Sequence, residues 1–167
     1  MVRRDAGSGG ESRVWYFAYG SNMQRSTFLG RRGMRPDKSV WGRLAGYRLA
    51  FDLPVGPGER GVANIVVDPL ESVCGVLHRI TASELDVLDR TEGVHRGVYD
   101  RVVVEVGSDV TLVEAIAYVS DRGVGGRKPS ARYLGLLLDG AREYAIPASY
   151  IAYLQAFELA VDEREHG

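Results

Sequence analysis

The sequence predicts a single α+β domain whose sheet is strongly curved or closed. Segments rich in valine, isoleucine and aromatic residues recur from Val14 to Ser120 with turn residues between them. One of these segments, Ser39 to Asp52, contains Gly42 and Gly46, which suits a long, bent strand. The chain turns helical only after Pro129-Ser130, so two terminal helices most simply cover one face of the preceding sheet. With 167 residues, 45% of them hydrophobic, and no low-complexity block, the chain is long enough for one core. The domain is expected at 13–160, between a flexible tail at 1–12 and a charged end at 161–167.

The elements follow in order. Residues 1–13 carry Arg3, Arg4, Asp5 and Gly7-Ser8-Gly9-Gly10 without the apolar run of a signal peptide. Val14 to Tyr19 reads as a buried strand that delivers Tyr19-Gly20-Ser21-Asn22 to its end. Gly20 permits backbone angles that other residues resist, and Ser21 and Asn22 suit a turn and a helix start. Gln24 to Leu29 predicts a short helix ended by Gly30, and the following Arg31, Arg32 and Arg35 are expected to be solvated. After the bent strand comes a loop, Pro54 to Gly61. Gly61 to Val67 and Val73 to Ile80 predict two strands joined by a turn at Asp68-Pro69. Thr81-x-x-Glu84 has the spacing of a capping box, so a helix should begin near Ala82 with Leu85 and Leu88 facing inward. Gly97 to Val106 and Val110 to Ser120 predict a hairpin around Gly107-Ser108-Asp109. Asp121 to Lys128 is a basic, glycine-rich loop, expected to be mobile. Leu134, Leu137, Leu138, Ala141 and Ala145 then follow helical spacing, and Pro147 opens a second helix buried through Tyr150, Ile151, Leu154 and Phe157.

Composition excludes several kinds of chemistry. A net charge of −1 provides no electrostatic footprint for nucleic acid or an anionic membrane, and no run reaches the length of a membrane span. We expect a soluble, cytoplasmic protein, monomeric or homodimeric, with a small-molecule partner. Cys74 is the single cysteine and lies in a predicted strand, which fits an inert buried thiol. His78, His95 and His166 are isolated from one another and from Cys74, so no metal is implied. The Asp121–Lys128 loop lacks a Gly-Lys-Ser/Thr ending, and Ser21 lacks a Gly-x-Ser-x-Gly elbow.

Two sites remain. The Tyr19–Asn22 loop can present consecutive N–H groups to a carboxylate or a developing oxyanion, or it is an ordinary strand-to-helix turn. Glu92 stands at i+7 from Leu85 on the inner helix face, followed by Gly93 as a helix stop. An inward carboxylate with a raised pKa is a general base in waiting. The alternatives are a Glu tied to an arginine such as Arg90 or Arg96, or a Glu left in solvent.

Four motifs in order, Y-F-A-Y-G-S-N-M, G-V-A-N-I, L-D-R-T-E-G-V-H-R-G-V-Y and P-S-A-R-Y with D-G-A-R-E-Y-A-I-P-A-S-Y, resemble the gamma-glutamyl cyclotransferase family from about Trp15 to about Leu154. The resemblance implies a small mixed barrel with flanking helices. It implies that Glu92 is the acid/base, that Tyr19, Gly20, Ser21 and Asn22 form the substrate loop, with Met23 where the family often has leucine, and that Tyr99, Tyr118 and Tyr133 line the pocket. It further implies cyclisation of a gamma-glutamyl substrate to 5-oxoproline without a cofactor. Related readings are a gamma-glutamylamine cyclotransferase, a deprotecting enzyme of small-molecule biosynthesis, and a non-catalytic binding protein of the same fold. The leaving-group half of the pocket is expected at Asp121–Lys128.

Overall fold

The structure is a computed structural model that describes residues 11–161. Most of the predicted tail and nearly all of the charged end lie outside the described residues. Glu11 and Ser12, assigned to the tail, are held in place: the Ser12 carbonyl accepts from the Ala82 N–H at 3.1 Å and the Glu11 carboxylate from the Ser83 N–H at 2.8 Å.

Five strands close into a barrel: β1 (Arg13–Ala18), β2 (Lys38–Pro54), β3 (Gly61–Thr81), β4 (Asp100–Ser108) and β5 (Thr111–Val119). Their order is β1-β3-β2-β4-β5, and β5 meets β1 in parallel while the other neighbours are antiparallel. Closure encloses a core that includes Phe17, Ile65, Val76, Leu77 and Val106. Cys74 is buried among them.

β2 and β3 pair along most of their length and carry two irregularities. At the first, Gly46 has φ +86 and the register jumps from Ala45↔Ser72 to Tyr47↔Val67. Residues 68–71 loop out there. The expected turn at Asp68-Pro69 is therefore a local detour within one strand, because both halves pair with β2 in the same direction and no chain reversal occurs. At the second, Ala50 pairs with Asn64 and Leu53 with Val62, so Phe51 and Asp52 stand opposite the single residue Ala63. This bulge frees the Ala63 backbone for side-chain partners.

The predicted hairpin is β4–β5, but its turn is Asp109-Val110 in place of the expected Gly107-Ser108-Asp109, with Asp109 at φ +51. Helix α1 (Ala82–Thr91) begins with the predicted capping box: the Thr81 hydroxyl accepts from the Glu84 N–H and the Glu84 carboxylate from the Thr81 N–H, both at 3.1 Å. The short helix predicted at Gln24–Leu29 is replaced by a 3-10 turn at Ser21–Met23 and a π-helical turn at Ser26–Arg31. The Arg32 N–H reaches back to the Thr27 carbonyl at 2.9 Å, and this wide turn carries Phe28 fully into the core.

Helix α2 (Ala131–Glu143) is capped by Ser130, whose hydroxyl accepts from the Tyr133 N–H at 3.1 Å. It packs on the Ser21–Met23 turn closely enough that a Cβ on Gly140 would lie 2.6 Å from the Met23 Cβ. Ala145, expected on the buried face, is exposed beyond the helix end at φ +56. Helix α3 (Ala148–Gln155) follows Pro147 and buries Tyr150 and Leu154, and Phe157 beyond it meets Phe51 edge-on at 4.8 Å. No helix among the described residues is long and apolar enough to cross a membrane.

Candidate active site

β1 ends at Ala18, α1 ends at Thr91, and the Phe51–Asp52 bulge of β2 opens β3 at Ala63. These three places surround one pocket of about 350 Å3, lined by Tyr16, Tyr19, Gly20, Ser21, Asn22, Ala63, Glu92, Tyr99, Tyr118 and Tyr133.

Glu92 is the first residue past α1, and Gly93, at φ +69, turns the chain away behind it. The carboxyl is half-buried, and burial raises its pKa, opposed by the positive charge of Arg32 and by a hydrogen bond from Asn22. Neither Arg90 nor Arg96 is the counter-charge. Arg32, expected to be solvated, is half-buried and faces the site instead.

Asn22 joins the groups. Its amide nitrogen donates to Glu92 Oε1 at 3.3 Å and to the Tyr16 hydroxyl at 3.0 Å, while its Oδ1 accepts from Arg32 Nε at 3.3 Å. A carboxylate on one side and a guanidinium on the other leave one orientation for the amide. Asn22 therefore acts across the pocket and does not cap a helix, contrary to the sequence expectation; the turn has no side-chain cap. Its backbone carbonyl accepts from His78 Nε2 at 3.1 Å, and His78 Nδ1 lies 2.8 Å from the Ser39 hydroxyl. With Nε2 donating, the Ser39 O–H donates to Nδ1 and the ring is neutral. Its burial lowers the His78 pKa to about 4, and Phe28 stacks on it at 4.0 Å.

Gly20 is needed for space. Its φ of −111° is ordinary, but a Cβ there would lie 2.9 Å from the Tyr133 hydroxyl oxygen and 3.3 Å from the Ala63 Cβ. The bulged Ala63 backbone is taken by two tyrosines: its N–H donates to the Tyr133 hydroxyl at 3.0 Å and its carbonyl accepts from the Tyr99 hydroxyl at 2.8 Å. The Tyr19 hydroxyl donates to the Tyr118 carbonyl, and the Tyr118 hydroxyl to Asp89 at 2.6 Å. Burial raises the pKa of Tyr16, Tyr19, Tyr99 and Tyr118, and pushes that of Tyr133 to about 12. The rings are thus neutral walls with polar tips, and Glu92 is the one carboxylic acid among the lining residues.

Of the residues singled out in the sequence, Tyr19, Gly20, Ser21, Asn22, Glu92, Tyr99, Tyr118 and Tyr133 converge on the pocket. Met23 does not line it; the side chain is fully buried beneath Gly140 of α2. Asp121–Lys128 does not line it either, and is fastened to the β2–β3 loop by Lys128 N–H to the Glu59 carbonyl at 2.7 Å and Arg127 Nη1 to the Gly56 carbonyl at 3.0 Å. Tyr16, Ala63, Arg32 and His78 were missed as contributors. Ala63 carried a signal in the G-V-A-N-I motif, whereas Arg32 had only its place in an arginine cluster.

Residues 72–154 match the AIG2-like family. The Mus musculus protein named gamma-glutamylcyclotransferase is 32% identical over 166 residues, which cover 92% of this chain and 82% of the mouse protein. The chain belongs to the gamma-glutamylcyclotransferase family. The Bos taurus member is 31% identical over 151 residues, covering 86% of this chain and 78% of its own. A solved structure described as a gamma-glutamyl cyclotransferase superposes with a TM-score of 0.78 at 26% identity, covering 92% of this chain and 96% of that one. The closed barrel with flanking helices is thus shared with the gamma-glutamylcyclotransferase family, and the chain is an enzyme of that family.

Proposed function

We propose that this enzyme cyclises gamma-glutamyl compounds, releasing 5-oxoproline and a free amine or amino acid, with Glu92 as the acid/base. The observation that supports this most is the position of Glu92: a carboxyl with its pKa raised by burial, hydrogen-bonded to Asn22 of the Gly20-Ser21-Asn22 loop in a pocket otherwise walled by neutral tyrosines.

The substrate holds its own nucleophile. Its α-amine closes a five-membered ring on the γ-carbonyl, so folding the glutamyl chain in a narrow pocket provides much of the rate. Glu92 takes one proton from the α-ammonium, and a raised carboxyl pKa makes that transfer less uphill. The amine nitrogen forms a bond to the γ-carbon, placing charge on the former carbonyl oxygen, where N–H groups of the Tyr19–Asn22 loop stabilise it. The bond to the leaving nitrogen then breaks as Glu92 returns the proton to it, and the second proton, left on the ring nitrogen by the attack, passes to the released amine, giving a neutral lactam and an ammonium product. Nucleophile, electrophile and leaving group all belong to the substrate, so the reaction needs no cofactor. Arg32, held at Asn22, favours the ionised form of Glu92 and so opposes the effect of burial.

The test is 5-oxoproline release from a panel of gamma-glutamyl amino acids and gamma-glutamyl amines, followed across pH. The expected result is release from at least one class of donor, with kcat/KM falling as pH drops through a pKa above that of an ordinary glutamate. Binding of donors without 5-oxoproline from any of them would mark a binding protein of the same fold.

A further inference from the structure

Tyr133 lines a second concavity as well as the catalytic pocket. It is an open groove lined by Arg31, Arg60 and Arg132, with Gly61 and Val62 between them and the catalytic pocket along β3. β3 runs from there straight into Ala63 of the catalytic pocket, so the two spaces adjoin along one strand and across one tyrosine ring.

The three arginines are the distinctive feature. Arg31 and Arg132 are exposed and Arg60 is half-buried. None of their guanidinium groups has a hydrogen-bond or ion-pair partner among the described residues, and no carboxylate lines the groove. Glu59, the nearest acid in sequence, is committed to Lys128 at 3.8 Å and to the Val161 N–H at 3.1 Å. Cations around one concavity with no counter-charge among the described residues focus a positive field, and guanidinium forks suit carboxylates geometrically.

The geometry points to this groove as the leaving-group end of the substrate site, selecting gamma-glutamyl donors whose released amino acid or peptide carries two carboxylates. The inference rests on the cyclotransferase reading above, with the glutamyl half in the catalytic pocket and the leaving half lying past Tyr133. It moves the leaving-group contacts from Asp121–Lys128 to the start of β3 and the first turn of α2. A cationic leaving group, as in a gamma-glutamyl polyamine, is repelled by the same charges.

The experiment compares kcat/KM for gamma-glutamyl-glutamate, gamma-glutamyl-alanine and gamma-glutamyl-methylamide, whose released amines carry two, one and no carboxylates. It uses the full chain and the variants Arg60→Gln, Arg132→Gln and Arg132→Lys, each checked by thermal melting. The expected order is glutamate over alanine over methylamide, with the differences shrinking as salt screens the groove. Each Gln variant lowers the glutamate-to-methylamide ratio by roughly tenfold through KM, and Arg132→Lys retains part of it. Release of 5-oxoproline from all three donors with a ratio that the variants leave unchanged overturns the groove assignment while the cyclotransferase reading stands. Absence of 5-oxoproline from every donor overturns both.

Discussion

Asn22 shows how much of the site hangs on single side chains: one amide touches the proposed acid/base, the tyrosine wall and the only cation held at the Glu92 side of the pocket among the described residues. Arg32 opposes the effect of burial on Glu92, so Arg32→Gln should let the Glu92 pKa rise further and move the acidic limb of the pH–kcat/KM profile to higher pH. Arg32→Lys should move it less. An unmoved limb in the glutamine variant would mean that Arg32 does not set the protonation of Glu92. Gly20 is the other point of high leverage. Gly20→Val drives a branched side chain toward the Tyr133 hydroxyl and Ala63, and should lower turnover by at least about 100-fold while shifting the melting temperature by comparatively little. Wild-type turnover from folded Gly20→Val would remove the loop from the mechanism. Glu92 and the Tyr19–Asn22 loop were legible because a carboxylate on an apolar helix face and a polar stop after an apolar strand are local patterns. Arg32 was not, because nothing in Arg31-Arg32 says which neighbour turns inward; a π-helical turn decides it.

The same division runs through the elements. The capping box at Thr81, the Ser130 cap and the β4–β5 hairpin rest on contacts a few residues apart and were read from the sequence. The single 21-residue β3 was read as two strands, since Asp68-Pro69 has the chemistry of a turn and only pairing with β2 on both sides of the detour keeps the two halves running in one direction. The Phe51–Asp52 bulge, which frees Ala63 for two tyrosines, has no local signal at all. The end of α2 offers a clean test of element-level reasoning. The Ile146 N–H reaches the Ala141 carbonyl at 2.9 Å and Ala145 takes the left-handed position usually filled by glycine. Ala145→Gly should relieve that strain and stabilise the protein by about 0.5–1 kcal/mol, seen as a higher melting temperature at unchanged turnover. A lower melting temperature would show that the loss of backbone restraint in the unfolded chain outweighs the relief.

For the molecule as a whole, the order of elements predicted a curved or closed sheet and the family resemblance implied a small mixed barrel, but the parallel contact of β1 with β5 that closes it is a property of three-dimensional pairing with no signal in the sequence. The buried polar groups give the barrel a defined pH response. His78 has its pKa lowered from 6.5 to about 4 by burial. Above pH 6.5 it is neutral in both states; as pH falls, the unfolded chain takes up the proton first, so stability on the order of 3 kcal/mol is lost between pH 6.5 and about 4. Glu92 has the opposite sign: its raised pKa favours the folded state at low pH, and that contribution disappears as pH rises through the folded-state value. Denaturant unfolding at pH 7, 5.5 and 4 should show the acid loss, and His78→Gln, which cannot protonate, should flatten it. An equal slope in the variant would assign the acid lability to other groups.

Glu92→Gln tests the proposed chemistry most directly, because the substitution keeps shape and hydrogen bonding while removing the ability to accept the α-ammonium proton. 5-Oxoproline release and thermal melting are measured on the same preparation at neutral pH. Since ionising a buried Glu92 opposes folding, the variant should melt at or above the wild-type temperature and still bind donor, with turnover reduced by roughly 10²–10⁴-fold. Wild-type turnover from a folded Glu92→Gln protein would contradict the assignment of Glu92 as the acid/base.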